Sequence, residues 1–391
     1  MGKVNKGGYL GGFDQLRAPN APTQSVAAGN ESVIVTITAP SYSTGTIEYY
    51  CATAIASGVS TGAEGTSSPV TITGLTNGTE YVVSSVVKSE YGASPSSSTT
   101  TIEAGIAPFA FIATDTTTID KLDLTTQGNA TSFGTLSVSN IYKAALGSTT
   151  RFVISSLGGS SNVIEFMVMA DGGSTSDFGD LTVARGQSTG GCNATRGLWS
   201  GGESDASGVI NVIDYITIAS AGNATDFGNL VAVAYGSTTI TSTSRAVIAA
   251  GRGGSVVNNM YYVTIASTGN AQNFGDLTQA KWRAADGGSS STRGMHSAGE
   301  NSGGTKTDDI EYITIASLGN GTDFGDLSHG SELPAGASST VKHFTLGGGN
   351  GGDSNVIDVV TIASTGNSTD YGDLTEAGEA SGASNSHGGL S

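Results

Sequence analysis

The sequence predicts an all-β protein whose larger part is an array of six repeats of propeller type. Three observations carry that expectation. A phrase close to Asp-Phe-Gly-Asp-Leu recurs with its aromatic residue at Phe133, Phe178, Phe227, Phe274, Phe324 and Tyr371, at separations of 45, 49, 47, 50 and 47 residues. That period belongs to propeller blades and is longer than that of most helical or leucine-rich solenoids. Each copy follows a short apolar run, and all but the second follow a Gly-Asn turn, a strand pattern rather than a helical one. Composition agrees: 59 of the 391 residues are Gly, 13% are charged and 37% are apolar, as in a turn-rich β protein with a buried core.

The charge balance narrows the partners. The formal charge is −17, and residues after Gly105 carry most of it, so no basic face is expected for nucleic acid. No apolar stretch reaches the length of a membrane helix, and residues 1–13 lack the apolar run of a secretory signal. Cys51 and Cys192 fall in different modules, which makes a stapling disulfide unexpected.

Residues 1–17, Gly-rich with Tyr9, Leu10 and Phe13 as their large apolar groups, read as a docking arm or disordered leader. Residues 18–105 change to short alternating segments such as Ser32 to Ile37, Ile47 to Ala54 and Val70 to Thr73, each a half-buried strand. Leu75 to Tyr81 followed by Val82 to Val87, with Tyr91-Gly92-Ala93-Ser94 and the entry Ala21-Pro22, resembles the fibronectin type III domain. The resemblance implies that Tyr81 is a corner tyrosine whose hydroxyl bonds back to the loop before it. That family's core tryptophan is replaced by Ile37.

Residues 106–391 hold the repeat. Its clearest copy runs Arg196 to Gly202, then Asn211 to Ala219, then Gly222 to Leu230, with glycine pairs after the first strand also read at Gly158-Gly159, Gly253-Gly254 and Gly347-Gly348. This arrangement is similar to the Kelch type of β-propeller, with Phe or Tyr in place of its tryptophan. Phe109 to Thr114 begins the array without a strand in front of it, and Glu379 to His387 is a strand with no blade after it. Joining them gives six four-stranded blades without exposed edges. The fold expected is therefore a fibronectin type III-like β-sandwich followed by a six-bladed Kelch-like β-propeller.

The candidate chemistry is sparse. His296, His329, His343 and His387 are scattered without metal-ligand spacing, and Asp171 to Asp180 departs from known calcium loops, so no metal or cofactor is expected. Asp180, Asp276, Asp326 and Asp373 recur at one repeat position, and Asp214, Glu311 and Asp358 at another; recurrence suits acceptors that close turns better than an active site. Of seven Asn-x-Ser/Thr sequons, Asn30, Asn129, Asn223, Asn320 and Asn367 follow Gly at turns, while Asn77 and Asn193 do not. Trp199 reads as core and Trp282 as a surface residue. Lys281, Trp282 and Arg283, with Met295, His296 and the bend over residues 347–352, depart from the repeat and form the candidate binding site, an aromatic between two cations suited to a sugar or a carboxylate.

The phrase Ile-Thr-Ile-Ala-Ser-x-Gly-Asn-x-Thr-Asp-Phe-Gly-Asp-Leu, with Ser-Asn-Ser-His-Gly-Gly-Leu near the end, resembles propeller proteins among the virion structural proteins of tailed bacteriophages, especially marine cyanobacterial ones. The resemblance implies a non-enzymatic virion component, a tail fibre or outward-facing decoration, whose partners are other virion proteins and a host surface glycan or protein. A glycan-cleaving tail enzyme and a secreted bacterial adhesin are the alternatives.

Overall fold

The computed structural model describes residues 17–29, 32–41, 45–76, 79–105, 108–139, 142–155, 160–349 and 351–390. The leader read over residues 1–17 lies outside them but for Arg17, as do Gly158-Gly159, Asn30 and Asn77. Among the described residues every regular element is a strand, and the chain divides into two compact units, Met1–Ala107 and Pro108–Ser391.

In the first unit, alternating burial along Ser32–Thr38 and Glu80–Ser89 gives each strand one apolar face, as expected of sheets covered on one side. Thr23–Gly29, Ser32–Thr38 and Val70–Thr73 form one antiparallel sheet. Val59–Gly65, Ile47–Ala56, Glu80–Ser89 and Gly92–Ala93 form the other, with Thr100–Glu103 also pairing Glu80–Ser89. Val33, Val35, Ile37, Ala54, Ile72, Val83 and Val87 fill the core, so Ile37 is buried where the sequence left room for it. Tyr81 is also buried, and its phenol oxygen accepts the Thr76 amide at 2.9 Å.

Among the described residues the second unit has six repeat sheets of four or five strands and two small two-stranded sheets, Glu203–Ser204 with Gly208–Val209 and Lys281–Trp282 with Glu300–Asn301. The second to fourth contain the strand sets Ala144–Gly147, Arg151–Ser155, Ser161–Val168, Ser176–Arg185; Thr189–Cys192, Arg196–Ser200, Val212–Thr217, Thr225–Asn229; and Thr238–Thr241, Arg245–Ala249, Asn259–Thr264, Gln272–Asp276. The fifth and sixth follow as Gly288–Ser289, Arg293–Ser297, Asp309–Thr314, Thr322–Asp326 and Ala335–Ser338, Lys342–Leu346, Val356–Thr361, Thr369–Asp373. The first sheet draws on both ends of the unit. Ala380–Ser384 pairs with Phe109–Thr114, which continues into Thr118–Asp123 and Thr131–Thr135. The leading strands of the six sheets pack side by side in cyclic order around a narrow channel, with Ala380–Ser384 between those of the sixth and second sheets.

The recurring phrase is a joint between sheets. In Phe178-Gly179-Asp180, the Phe178 carbonyl accepts the Gly222 amide at 2.7 Å, the Asp180 amide is accepted by the Asn223 side chain at 3.1 Å, and the Asp180 carbonyl accepts the Ala224 amide at 2.7 Å. Asn270, Asn320, Asn367 and Asn129 repeat the clasp on Asn229, Asp276, Asp326 and Asp373. Glycine is required between the aromatic and the acid: a Cβ at Gly179 would meet the Gly222 carbonyl at 2.5 Å, and φ there is +145°. The joint between the first and second sheets lacks the Asn and uses a short parallel pairing of Gly134-Thr135 with Gly173-Ser174 instead.

A second device aligns the sheets. Arg151, Arg196, Arg245 and Arg293 each donate through Nη1 to a carbonyl of the next sheet, Ile218, Ile265, Ile315 and Ile362, at 2.7 to 2.9 Å. Each guanidinium also lies over a ring of its own sheet, Phe166, Tyr215, Tyr262 or Tyr312, 4.4 to 4.8 Å from the centroid. In the first sheet cation and ring have exchanged strands, with Lys121 over Phe109 at 3.9 Å.

One register expectation is corrected. The counterpart of Gly201-Gly202 in the fourth sheet is Ala250-Gly251, not Gly253-Gly254: φ is 62° and 110° at the first pair and 59° and 108° at Ala250 and Gly251. A visible glycine pair outweighed the structural position, which the alanine holds despite its left-handed backbone.

Candidate functional site

The loops that enter the leading strands surround one mouth of the channel. Their main chains are linked in series: the Gln187 amide donates to the Tyr142 carbonyl, Gly236 to Gln187, Arg283 to Gly236, Leu333 to Arg283 and Ala380 to Leu333, at 2.7 to 3.1 Å. Gln187, Gly236, Arg283 and Leu333 all have left-handed backbones with φ between 51° and 62°. Only one of the four is glycine, so the linkage holds three residues in a conformation that side chains disfavour.

The sequence-predicted residues converge here, mostly from below the surface. Trp282 is 5% exposed, which corrects its reading as a surface platform. It stacks edge-on against Tyr235 at 5.3 Å, with the guanidinium groups of Arg252 and Arg283 4.9 and 4.1 Å from its centroid. The two flanking cations were visible in the sequence, but only Arg283 of that pair stands over the ring. Lys281 is fully buried and pairs with Asp309, and with Glu311 at 3.3 Å. Met295 and His296 are core residues of Arg293–Ser297, and burial, with Lys281 and His343 nearby, holds the His296 imidazole well below its ordinary range. The bend over residues 347–352 gives Gly347 and Gly348 at the end of Lys342–Leu346.

Among Lys281, Trp282, Arg283, Met295 and His296, Arg283 is the one that reaches partial exposure, inside an ion-pair network. Its Nη1 lies 3.0 Å from Glu332 and 3.9 Å from Glu300, and Lys306 bonds Glu300 and Glu332 at 2.6 Å each. Burial works to raise the Glu332 carboxyl, but the hydrogen bonds it accepts from Lys306 and Arg283 outweigh that and hold it below the usual range. Two cations and two carboxylates give no net charge.

Deeper in the mouth lie Lys143, Asp286 and Glu379, none of which sequence reasoning singled out. Asp286 accepts the Gly382 amide at 2.8 Å and the Ser381 hydroxyl at 3.0 Å. It is hemmed in by protein, and this dehydration pushes its carboxyl up to about 7 against those hydrogen bonds. Burial pushes the Lys143 ammonium down to about 8, opposed by Asp115, Glu379 and Asp286. A signal for Asp286 was present: the leading strands Ala144–Gly147, Thr189–Cys192, Thr238–Thr241, Ala335–Ser338 and Ala380–Ser384 contain no acidic residue. The opening beside these groups measures about 30 Å³, as does the channel below it, room for a water but not for a sugar ring.

The carboxylates at the repeat position of Asp214, Glu311 and Asp358 are occupied. Asp120 holds the amide and hydroxyl of Thr375 at 2.8 and 2.6 Å, Asp214 those of Thr182 at 3.1 and 2.6 Å, and Asp358 those of Ser328 at 3.1 and 2.8 Å. Glu165 does the same for Ser137, and Glu311 for the Thr278 amide. Asp214 also pairs with the fully buried Arg185 at 2.9 Å. At the remaining joint both partners differ: Tyr261 replaces the acid and Val231 the hydroxyl residue.

Of the histidines, His343 and His296 are buried, while His387 reaches the Gly147 carbonyl at 2.9 Å and Cys192 Sγ at 3.5 Å. Gly388 donates to the Ser289 carbonyl, so the segment after Ser384 crosses the far mouth of the channel. Cys51 and Cys192 are both free thiols. Among the described residues no group of three or more His, Cys, Asp or Glu is placed to hold a metal ion, and no helix is long and apolar enough to cross a membrane.

No protein-family model matches this chain, and no curated protein matches it in sequence.

Proposed function

We propose that the chain is a fibronectin type III-like sandwich followed by a six-bladed Kelch-like propeller, and that it acts as a non-enzymatic virion structural protein of a tailed bacteriophage. In this reading it is a tail fibre or outward-facing decoration whose propeller meets other virion proteins or a host surface glycan or protein. The sandwich reading is supported by the two sheets and the Tyr81–Thr76 bond. The propeller reading is supported by six repeat sheets whose leading strands follow one another in cyclic order. The virion assignment rests on the resemblance of the repeated phrase.

The observation that carries the binding role is the commitment of the acids at the Asp214, Glu311 and Asp358 repeat position to joints between sheets, as when Asp214 holds Thr182 and Arg185. Such acids are engaged in the fold and are not free for acid–base work. The glycan-cleaving alternative would draw on Asp286 and Glu379, both raised above the ordinary carboxyl range by burial, and the opening that Asp286 lines measures about 30 Å³. Mass spectrometry of purified particles tests the virion role, and its absence from them sinks that assignment. Incubating the protein with host envelope material tests the rest: retention without released reducing sugar is expected, whereas sugar release abolished by Asp286→Asn or Glu379→Gln would establish the enzyme.

A further inference from the structure

The flank of the sixth sheet departs from the repeat at two facing positions. Where the second to fifth sheets place an aromatic ring beneath an arginine, the sixth has Val359 beneath Lys342. The arginines donate to a carbonyl of the next sheet, but among the described residues the Lys342 ammonium meets the Tyr371 ring, 5.2 Å from its centroid, and has no hydrogen-bond partner. Beside this gap a groove of 410 Å³ opens between the sixth and first sheets. The corresponding flank of the fourth sheet keeps its ring, Tyr262, and its groove measures 200 Å³.

The larger groove falls within the range of small-ligand sites. Its floor is apolar, made by Val359 and the edge of Tyr371, whose own hydroxyl is committed to the Asp123 carbonyl at 2.8 Å. Its walls are polar: the Lys342 ammonium, the Asp370 carboxylate, and the Gln127 amide held against the Asp370 carbonyl at 3.0 Å, with several Ser and Thr hydroxyls between them. An apolar floor with hydroxyl, amide and opposed charged walls matches a ligand with a C–H face and a rim of hydroxyls. The lining carries one positive and one negative charge, so a carboxylated sugar attracted by Lys342 would meet Asp370.

We propose that the groove between the sixth and first repeat sheets, opened by Val359 in place of an aromatic ring, binds a neutral saccharide unit. The site rests on the binding role proposed above and gives it a ligand class and a place.

The decisive variant restores the repeat. Val359→Tyr supplies the ring that four other sheets carry, so it fills the groove without a foreign feature in the fold. Titration calorimetry of the full chain with galactose, glucose, mannose, N-acetylglucosamine and their disaccharides, and with glucuronate as the charged comparator, is expected to show binding to at least one neutral sugar. Val359→Tyr should weaken that binding by tenfold or more while melting no lower than the parent, and Tyr262→Val should leave it unchanged. Binding that survives Val359→Tyr, a preference for glucuronate, or no heat with any of these sugars overturns the proposal. Retention of the chain on host envelope material that persists in the Val359→Tyr variant would leave the binding role standing and remove the groove from it; an absence of retention with sugar binding intact would do the reverse.

Discussion

The Asp286 carboxylate accepts the Gly382 amide at 2.8 Å, so a side chain from the fifth repeat sheet is bonded directly to the strand that completes the first. The bond spans the sixth sheet between them. It belongs to the closure of the array as much as to the channel mouth, and it titrates near neutrality.

Burial raises the Asp286 carboxyl from 3.8 to about 7. The native state therefore keeps a proton that the unfolded chain releases between those values. This contribution is full below about pH 4 and is lost as pH rises through 7. The stability gap between the parent and Asp286→Asn, measured by thermal unfolding, is expected to shrink from pH 4.5 to pH 7.5. A gap that stays constant over that range would show that this proton is not retained.

His343 works in the opposite sense. Burial lowers its imidazole from 6.5 to about 4, so its contribution is full above 6.5 and is lost as pH falls toward 4. Denaturant midpoints of the second unit should drop across that window, and His343→Gln should flatten the drop. His296, also lowered by burial, will leave a residual slope.

The pairing of acid and hydroxyl between sheets predicts non-additive energetics. Asp214→Ala strands the buried Arg185 and should cost about 3 to 5 kcal/mol. At the joint that lacks the pair, Tyr261→Asp alone should destabilise, because it places a carboxylate there with no hydroxyl to hold. Combined with Val231→Thr it should recover about 1 kcal/mol through the new hydrogen bonds. A double-mutant cycle from urea unfolding gives the coupling, and a coupling near zero would refute the equivalence of this joint with the others.

In the first unit, Tyr81→Phe removes the acceptor of the Thr76 amide and should cost about 1 to 3 kcal/mol. A Tm for that unit equal to the parent's would mean that water replaces the phenol oxygen.

The strand set and the closure of the array were legible because period and composition act on every copy. The missing strand before Phe109 and the surplus strand at Ala380 follow from counting alone, and they pair as expected. The core place of Trp199 was legible for the same reason. The channel-mouth groups were not. Asp286 is a single acid just before the two-residue strand Gly288–Ser289, and its significance depends on Ser381 and Gly382, which meet it only after the ring of leading strands is complete. Trp282 misled because charged neighbours in sequence suggest exposure, whereas Lys281 and Trp282 are both buried and the ring packs against Tyr235.

Because Ala110 pairs with Ser384, the first repeat sheet waits for its last strand during synthesis. About 270 residues separate the two positions, which at roughly 5 to 20 residues per second amounts to some 14 to 55 seconds on the ribosome. Over that interval the apolar edge Phe109–Thr114 is exposed while later sheets emerge and join one another through their Gly-Asn clasps. Nascent chains stalled before Ala380 clears the exit tunnel should bind chaperones and lose their first repeat sheet to protease, and emergence of Ala380–Ser384 should end both at once.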